Sequence, residues 1–227
     1  MTSSALTSKG PFKLARTWSY VLTAGRWFAG GAINNGGLAL QWIRENVYAE
    51  AGYDQLLADA AAVPPGADGV MWLPYFSGER SPHWNPDARA LLFGLRLAHT
   101  RAHVARAALE GVAFCLADVW EALKDGSEGG TSAQLTGGIT RAPLWTQIVA
   151  DVLSLPLAPI EAADASAVGA ALLGLAALGS PPAWPVAASP TVFPDPLRRN
   201  DYAARHREFQ SLYARNFASA PSQEAFR

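Results

Sequence analysis

The sequence predicts an α/β fold, a mixed sheet flanked by helices, and three observations carry it. After residue 68, segments with a three-to-four apolar spacing alternate with short runs rich in β-formers. The connections between them suit a mixed or parallel sheet. Hydrophobic residues make up 50% and charged residues 16%, which is too apolar for a disordered chain. A chain of 227 residues buries roughly 70% of the surface its unfolded form exposes. One compact domain and two small lobes are both feasible on that length.

Residues 1–13 read as a flexible lead-in of Ser, Thr, Lys and Gly. Thr17 to Leu22 is aromatic and β-branched, as a strand would be, and Trp27-Phe28-Ala29 follows the Ala24-Gly25 turn as its hairpin partner. Leu38, Leu40, Trp42, Ile43 and Val47 then fit an amphipathic helix. Gly69 to Tyr75 reads as a short buried strand, and Phe76 to Asn85 as a long polar loop. A helix runs from Thr100, its N-cap, to Lys124. Its apolar spacing is kept by Val104, Ala108, Val112, Cys115, Leu116, Val119 and Leu123.

Ala133 to Thr136 is a strand ending in Gly137-Gly138, and Pro143 suits the first turn of a helix reaching Leu153. Leu155 to Ile160 is extended, and Ala165 to Leu178 is a helix in which Gly169 and Gly174 permit close backbone packing. Six of the sixteen prolines lie between Pro181 and Pro196, so regular structure is not expected there. Tyr202 to Phe217 is a closing amphipathic helix. These readings give a main domain over 14–179, a Pro-rich linker over 180–200, and a C-terminal helix and tail, 201–227, packed on the same domain.

Charge excludes a general nucleic-acid binder, because 18 Lys+Arg meet 19 Asp+Glu and no basic excess remains. The one cysteine, Cys115, sits among apolar residues and reads as a buried thiol. Met1 to Lys13 lacks an apolar signal core, and no uncharged apolar run reaches about 18 residues. A soluble, cytoplasmic protein with no membrane partner is the expectation.

Gly137-Gly138 is the most informative local feature. Glycines between a strand and a helix let a ligand approach the backbone, and helix N-terminal N–H groups attract phosphate. An ordinary tight turn explains the pair equally well, and both readings stay open. Gly30 to Gly37 matches neither a P-loop nor G-x-G-x-x-G. It reads as a turn into a helix capped by Asn34 or Asn35, or as a ligand loop. The loop holding Glu79, Arg80, Asp87 and Arg89 could bind an anion or fix a lobe interface, but a surface loop of weak salt bridges is favoured. His83, His99, His103 and His206 lack a metal-binding spacing, and no Ser–His–Asp pattern is present.

Five blocks, taken in order, resemble the C-terminal half of the FGGY family of carbohydrate kinases: GGAINNGGLALQWIRE, GERSPHWNPDARALLFGL, ALEGVAFCL, LTGGITRAPLWTQIVADVL and ADASAVGAALLG. The AINNGG and GERSP wording is most like gluconokinases, with xylulokinases next. The resemblance implies an actin-like ATPase (RNase H-like) lobe that carries most of an adenosine site, with ATP and Mg2+ as cofactors. It places Gly137 and Gly138 at the nucleotide, Gly138 by the α-phosphate. It also places Ala142 against adenine, where gluconokinase-like members tend to have Ser, Gly37 at the nucleotide, and Thr2 near the phosphates.

In the family the catalytic aspartate and the D-x-G-T phosphate loop precede the segment that this chain matches. The resemblance therefore assigns no catalytic residue and no metal ligand here, and implies that this chain alone is inactive. The expected partners are a sugar or sugar-acid substrate and an N-terminal kinase lobe, in cis or in trans. A homo-oligomer is also expected, because a lone lobe would expose apolar surface. The rival reading is a nucleotide-sensing or interaction module derived from such a kinase.

Overall fold

Burial is concentrated around one helix. The structure, a computed structural model, describes residues 2–8, 16–124, 130–161, 164–179 and 187–217. In it, helix α3, Arg101–Lys124, has 18 of its 24 residues buried, so it is enclosed on all sides rather than along one stripe. Small residues make this possible: Ala105, Ala107, Ala108, Gly111, Ala113 and Ala117 let neighbours close in. At Gly111 a Cβ would sit 2.1 Å from the Trp72 carbonyl oxygen.

The neighbours come from the whole chain. Helices α1, Gly36–Asn46, and α2, Gly52–Ala61, pack against α3, as do strands β3, Arg26–Ile33, and β4, Met71–Leu73. Helices α4, Pro143–Leu153, and α6, Arg199–Phe217, cover the rest. A charged group in such a core must be paired. The Arg106 guanidinium donates to Glu110 at 2.7 Å and to the Tyr202 hydroxyl at 2.8 Å. Glu110 also accepts from Tyr202 at 3.0 Å and from the Gly66 N–H at 2.9 Å. Thr100 stands just before α3, and its N–H donates to His103 Nδ1 at 3.0 Å.

Among the described residues three small sheets surround these helices. Residues 2–8, expected as a flexible lead-in, form β1, Thr2–Ser8, antiparallel to β3 with Thr2 opposite Ile33. Strand β2, Trp18–Thr23, pairs on the other side of β3. Gly30 and Gly31 are therefore strand residues, not a turn. The Trp18 ring lies across Gly30, 2.2 Å from where a Cβ would be. Strand β4 pairs with β5, Leu91–Phe93. Strand β6, Ala133–Leu135, runs parallel to β7, Leu157–Glu161.

The Pro-rich stretch is not wholly irregular: Ala187–Ala188 forms a two-residue strand β8 on β7. Residues 180–186 lie outside the described residues. Helix α5, Ala165–Ala177, is capped by Asp164, which accepts from the Ala167 N–H at 3.0 Å. It has no buried residue, and no atom lies within 4 Å of a Cβ built on Gly169 or Gly174. Among the described residues the expected close packing at those glycines is absent. No helix among the described residues is long and apolar enough to cross a membrane.

Two glycine substitutions separate these environments. Gly111→Ala must push α3 off the Trp72 backbone and is expected to cost about 3 kcal/mol. Gly169→Ala adds a methyl in open space and is expected to stabilise by up to about 1 kcal/mol. Urea unfolding of both variants checks the pair.

Candidate functional site

Strand β6 ends two residues before Gly137, whose φ of 91° and ψ of −168° favour glycine. Residues Gly138–Arg141 then form one 3₁₀ turn, and α4 starts with Pro143 at its head. The Thr140 hydroxyl and N–H both donate to the Gly137 carbonyl, at 2.8 and 3.1 Å. The Thr146 hydroxyl donates to the Ile139 carbonyl at 3.1 Å. Gly137 and Gly138 are exposed, and no atom lies within 4 Å of where a Cβ would stand. The turn is thus held from within while its outer backbone stays open. Ala142 belongs to the same unit but is buried in the core, immediately before α4.

A second open backbone lies where β3 hands over to α1. Gly37 is exposed with no atom near its Cβ position, and Thr2 pairs with Ile33 four residues earlier. Asn35 occupies the expected cap position but gives α1 no side-chain cap. Its side chain crosses instead to the loop after β4. Its Nδ2 donates to the Gly78 carbonyl at 3.0 Å, and its Oδ1 accepts from the Ser77 hydroxyl at 2.9 Å. Asn34 donates to the Ser77 carbonyl at 3.1 Å. The structure therefore groups Gly137, Gly138 and Ala142 at one strand end, and Thr2 and Gly37 at another.

The loop after Gly78 is not the surface salt-bridge loop expected. Glu79 is 5% exposed and Ser81 is fully buried. The Glu79 carboxylate accepts from the His83 N–H at 3.3 Å. The His83 ring stacks on Tyr213 at 3.8 Å, and Asn85 donates to the Tyr213 hydroxyl at 3.2 Å. Burial, reinforced by the nearby Asp118 charge, pushes the Glu79 carboxyl up to about 8. Asp118 is held below the usual carboxylate range. Burial works to raise it, but hydrogen bonds from His206 and His83 and the attraction of His206 outweigh that.

Sequence spacing hid one further grouping. One ligating atom each of Asp118, Glu121 and His206 lies within 4.8 Å of the others. His206 Nε2 meets Asp118 at 2.7 Å. The Gln210 amide nitrogen bridges the two carboxylates, at 2.8 Å from Asp118 and 3.0 Å from Glu121. With an amide between the carboxylates, the trio is a hydrogen-bonded network joining α3 to α6.

The raised Glu79 carboxyl makes stability depend on pH. Its folded value exceeds the unfolded one, so the folded state binds more protons between about 4.5 and about 8. Stability is lost as pH rises through that window. Glu79→Gln removes the titration. The variant is expected to melt above the wild type at about pH 8.5 and to converge with it below about pH 5. Melting temperatures across pH by circular dichroism test this.

Comparison with known proteins agrees with this architecture. The profile of the C-terminal domain of the FGGY family of carbohydrate kinases matches residues 5–178. A gluconokinase from Bacillus subtilis is 40% identical over 175 residues, covering 72% of this chain and 34% of that protein. A ligand-bound xylulose kinase from Lactobacillus acidophilus superposes with a TM-score of 0.87 at 25% identity, covering 96% of this chain and 46% of its own. A gluconate kinase from the same organism gives a TM-score of 0.85, also at 25% identity and with the same coverage. This chain thus spans about a third of the gluconokinase and under half of either solved kinase. With the family profile matched over residues 5–178 and the fold shared with solved kinases, the chain belongs to the FGGY family of carbohydrate kinases, as a C-terminal domain.

Proposed function

We propose that this chain is the nucleotide-binding half of a kinase that transfers the γ-phosphate of ATP to a hydroxyl of gluconate or a related sugar. The observation that carries the reading is the Gly137–Gly138 turn, open on its outer face and braced from within by Thr140 and Thr146. Backbone at such a turn can approach a phosphate more closely than any residue with a side chain permits. In this reading Gly138 lies by the α-phosphate, Gly37 contacts the nucleotide from the start of α1, Thr2 lies near the phosphates, and Ala142 lies towards adenine. The gluconokinase likeness supports gluconate as the acceptor.

ATP would supply the phosphoryl group, and Mg2+ bound to its phosphates would neutralise their charge. No residue of this chain is assigned to the metal. What the chain contributes is binding and orientation of the adenosine end. The acceptor sugar, and the base that takes its hydroxyl proton, are assigned to the other lobe of a two-lobe kinase.

Calorimetric titration of the purified chain with ADP and magnesium tests the reading. One nucleotide per chain at micromolar affinity is expected. Gly138→Trp should abolish the heat without lowering the melting temperature, because the new side chain enters open space. No heat from the wild type at millimolar nucleotide overturns the site. The 227 residues alone are further expected to release no ADP from ATP and gluconate until the other lobe is supplied in trans.

A further inference from the structure

We propose that Asn35 is a positioning residue for the nucleotide, keeping the start of α1 free by committing its own side chain to the Ser77–Gly78 turn. The proposal rests on the reading of Gly37 given above. Asparagine is among the best helix caps, and in that role its oxygen accepts from the N–H groups of the first turn. Asn35 stands at the cap of an 11-residue helix and makes no such bond. It is 3% exposed, so its amide must be satisfied by protein. The loop supplies everything: Nδ2 donates to the Gly78 carbonyl, and Oδ1 accepts from the Ser77 N–H at 3.3 Å and hydroxyl at 2.9 Å.

The anchor is stiff. Gly78 has a φ of 74°, and a Cβ on it would stand 2.7 Å from the Pro86 carbonyl oxygen, so the turn has little room to shift. Asn34 bonds the same turn. The β3–α1 junction is thus held by a rigid neighbour. The N–H groups of the first helical turn, at the positive end of the helix dipole, stay uncapped beside exposed Gly37 and Leu38. A residue that capped the helix would use up the donors that the nucleotide needs.

Asn35→Ser is the decisive variant, because serine caps well but is too short to reach Gly78. It is expected to weaken ADP binding about tenfold, while the melting temperature falls by a few degrees, the new cap offsetting part of the lost loop bonds. In the wild type the Gly37 and Leu38 amides should gain exchange protection only when ADP binds. In Asn35→Ser they should be protected without it, which a merely structural role would not produce. Should Asn35→Ser not fold, Ser77→Ala decides, since it removes the exposed hydroxyl that makes the shorter of the two bonds to Oδ1 and leaves only the Ser77 N–H to hold it away from α1. About threefold weaker binding is expected there. Wild-type affinity in the folded variant overturns the proposal alone. A wild type that binds no ADP overturns the nucleotide reading and this proposal with it.

Discussion

The enclosure of α3 on every side is the constraint on which the other elements depend. An ordinary surface helix buries one stripe and leaves its polar face to water. Here that face is also covered, so Arg106, Glu110 and Asp118 had to find partners inside. Each finds them on α6, through Tyr202, His206 and Gln210. Polar pairing of this kind adds little net stability, yet leaving one partner out is costly. It sets the register between two helices far apart in the chain.

The two open glycine sites lie at the rim of this arrangement. Each sits where a strand ends and a helix begins, and each is held by short polar side chains rather than by core packing. The division is physical. Close approach by a ligand needs bare backbone. Bare backbone is kept in place only if hydrogen bonds nearby fix it. Thr140 and Thr146 do this at one strand end, and Asn34, Asn35 and Ser77 at the other.

Much of this was legible in the sequence, and the gaps have definite causes. Helices α3, α4 and α6 were read within a few residues, because apolar spacing, a leading threonine and Pro143 are local signals. The Gly137–Gly138 turn was legible for the same reason. Strand β1 was not, since a Ser- and Thr-rich segment becomes a strand only by pairing with β3. Helix α2 and strand β5 were also missed: one has a short, mixed pattern, and the other has only three residues. Burial of Glu79 and the use of Asn35 away from its own helix depend on partners tens of residues away. No window along the chain carries that information.

The central place of α3 also bears on how the protein is made. Its last residue is Lys124, but the helix that covers Phe114, Asp118 and Arg106 begins only at Arg199. At ordinary synthesis rates the intervening stretch takes roughly 4 to 15 seconds to emerge. Throughout that interval the face of α3 that carries Phe114 beside Arg106, Glu110 and Asp118 lacks its final cover. The nascent chain therefore passes through a window of exposed hydrophobic surface, set by the order of its elements along the gene, in which a chaperone has something to hold.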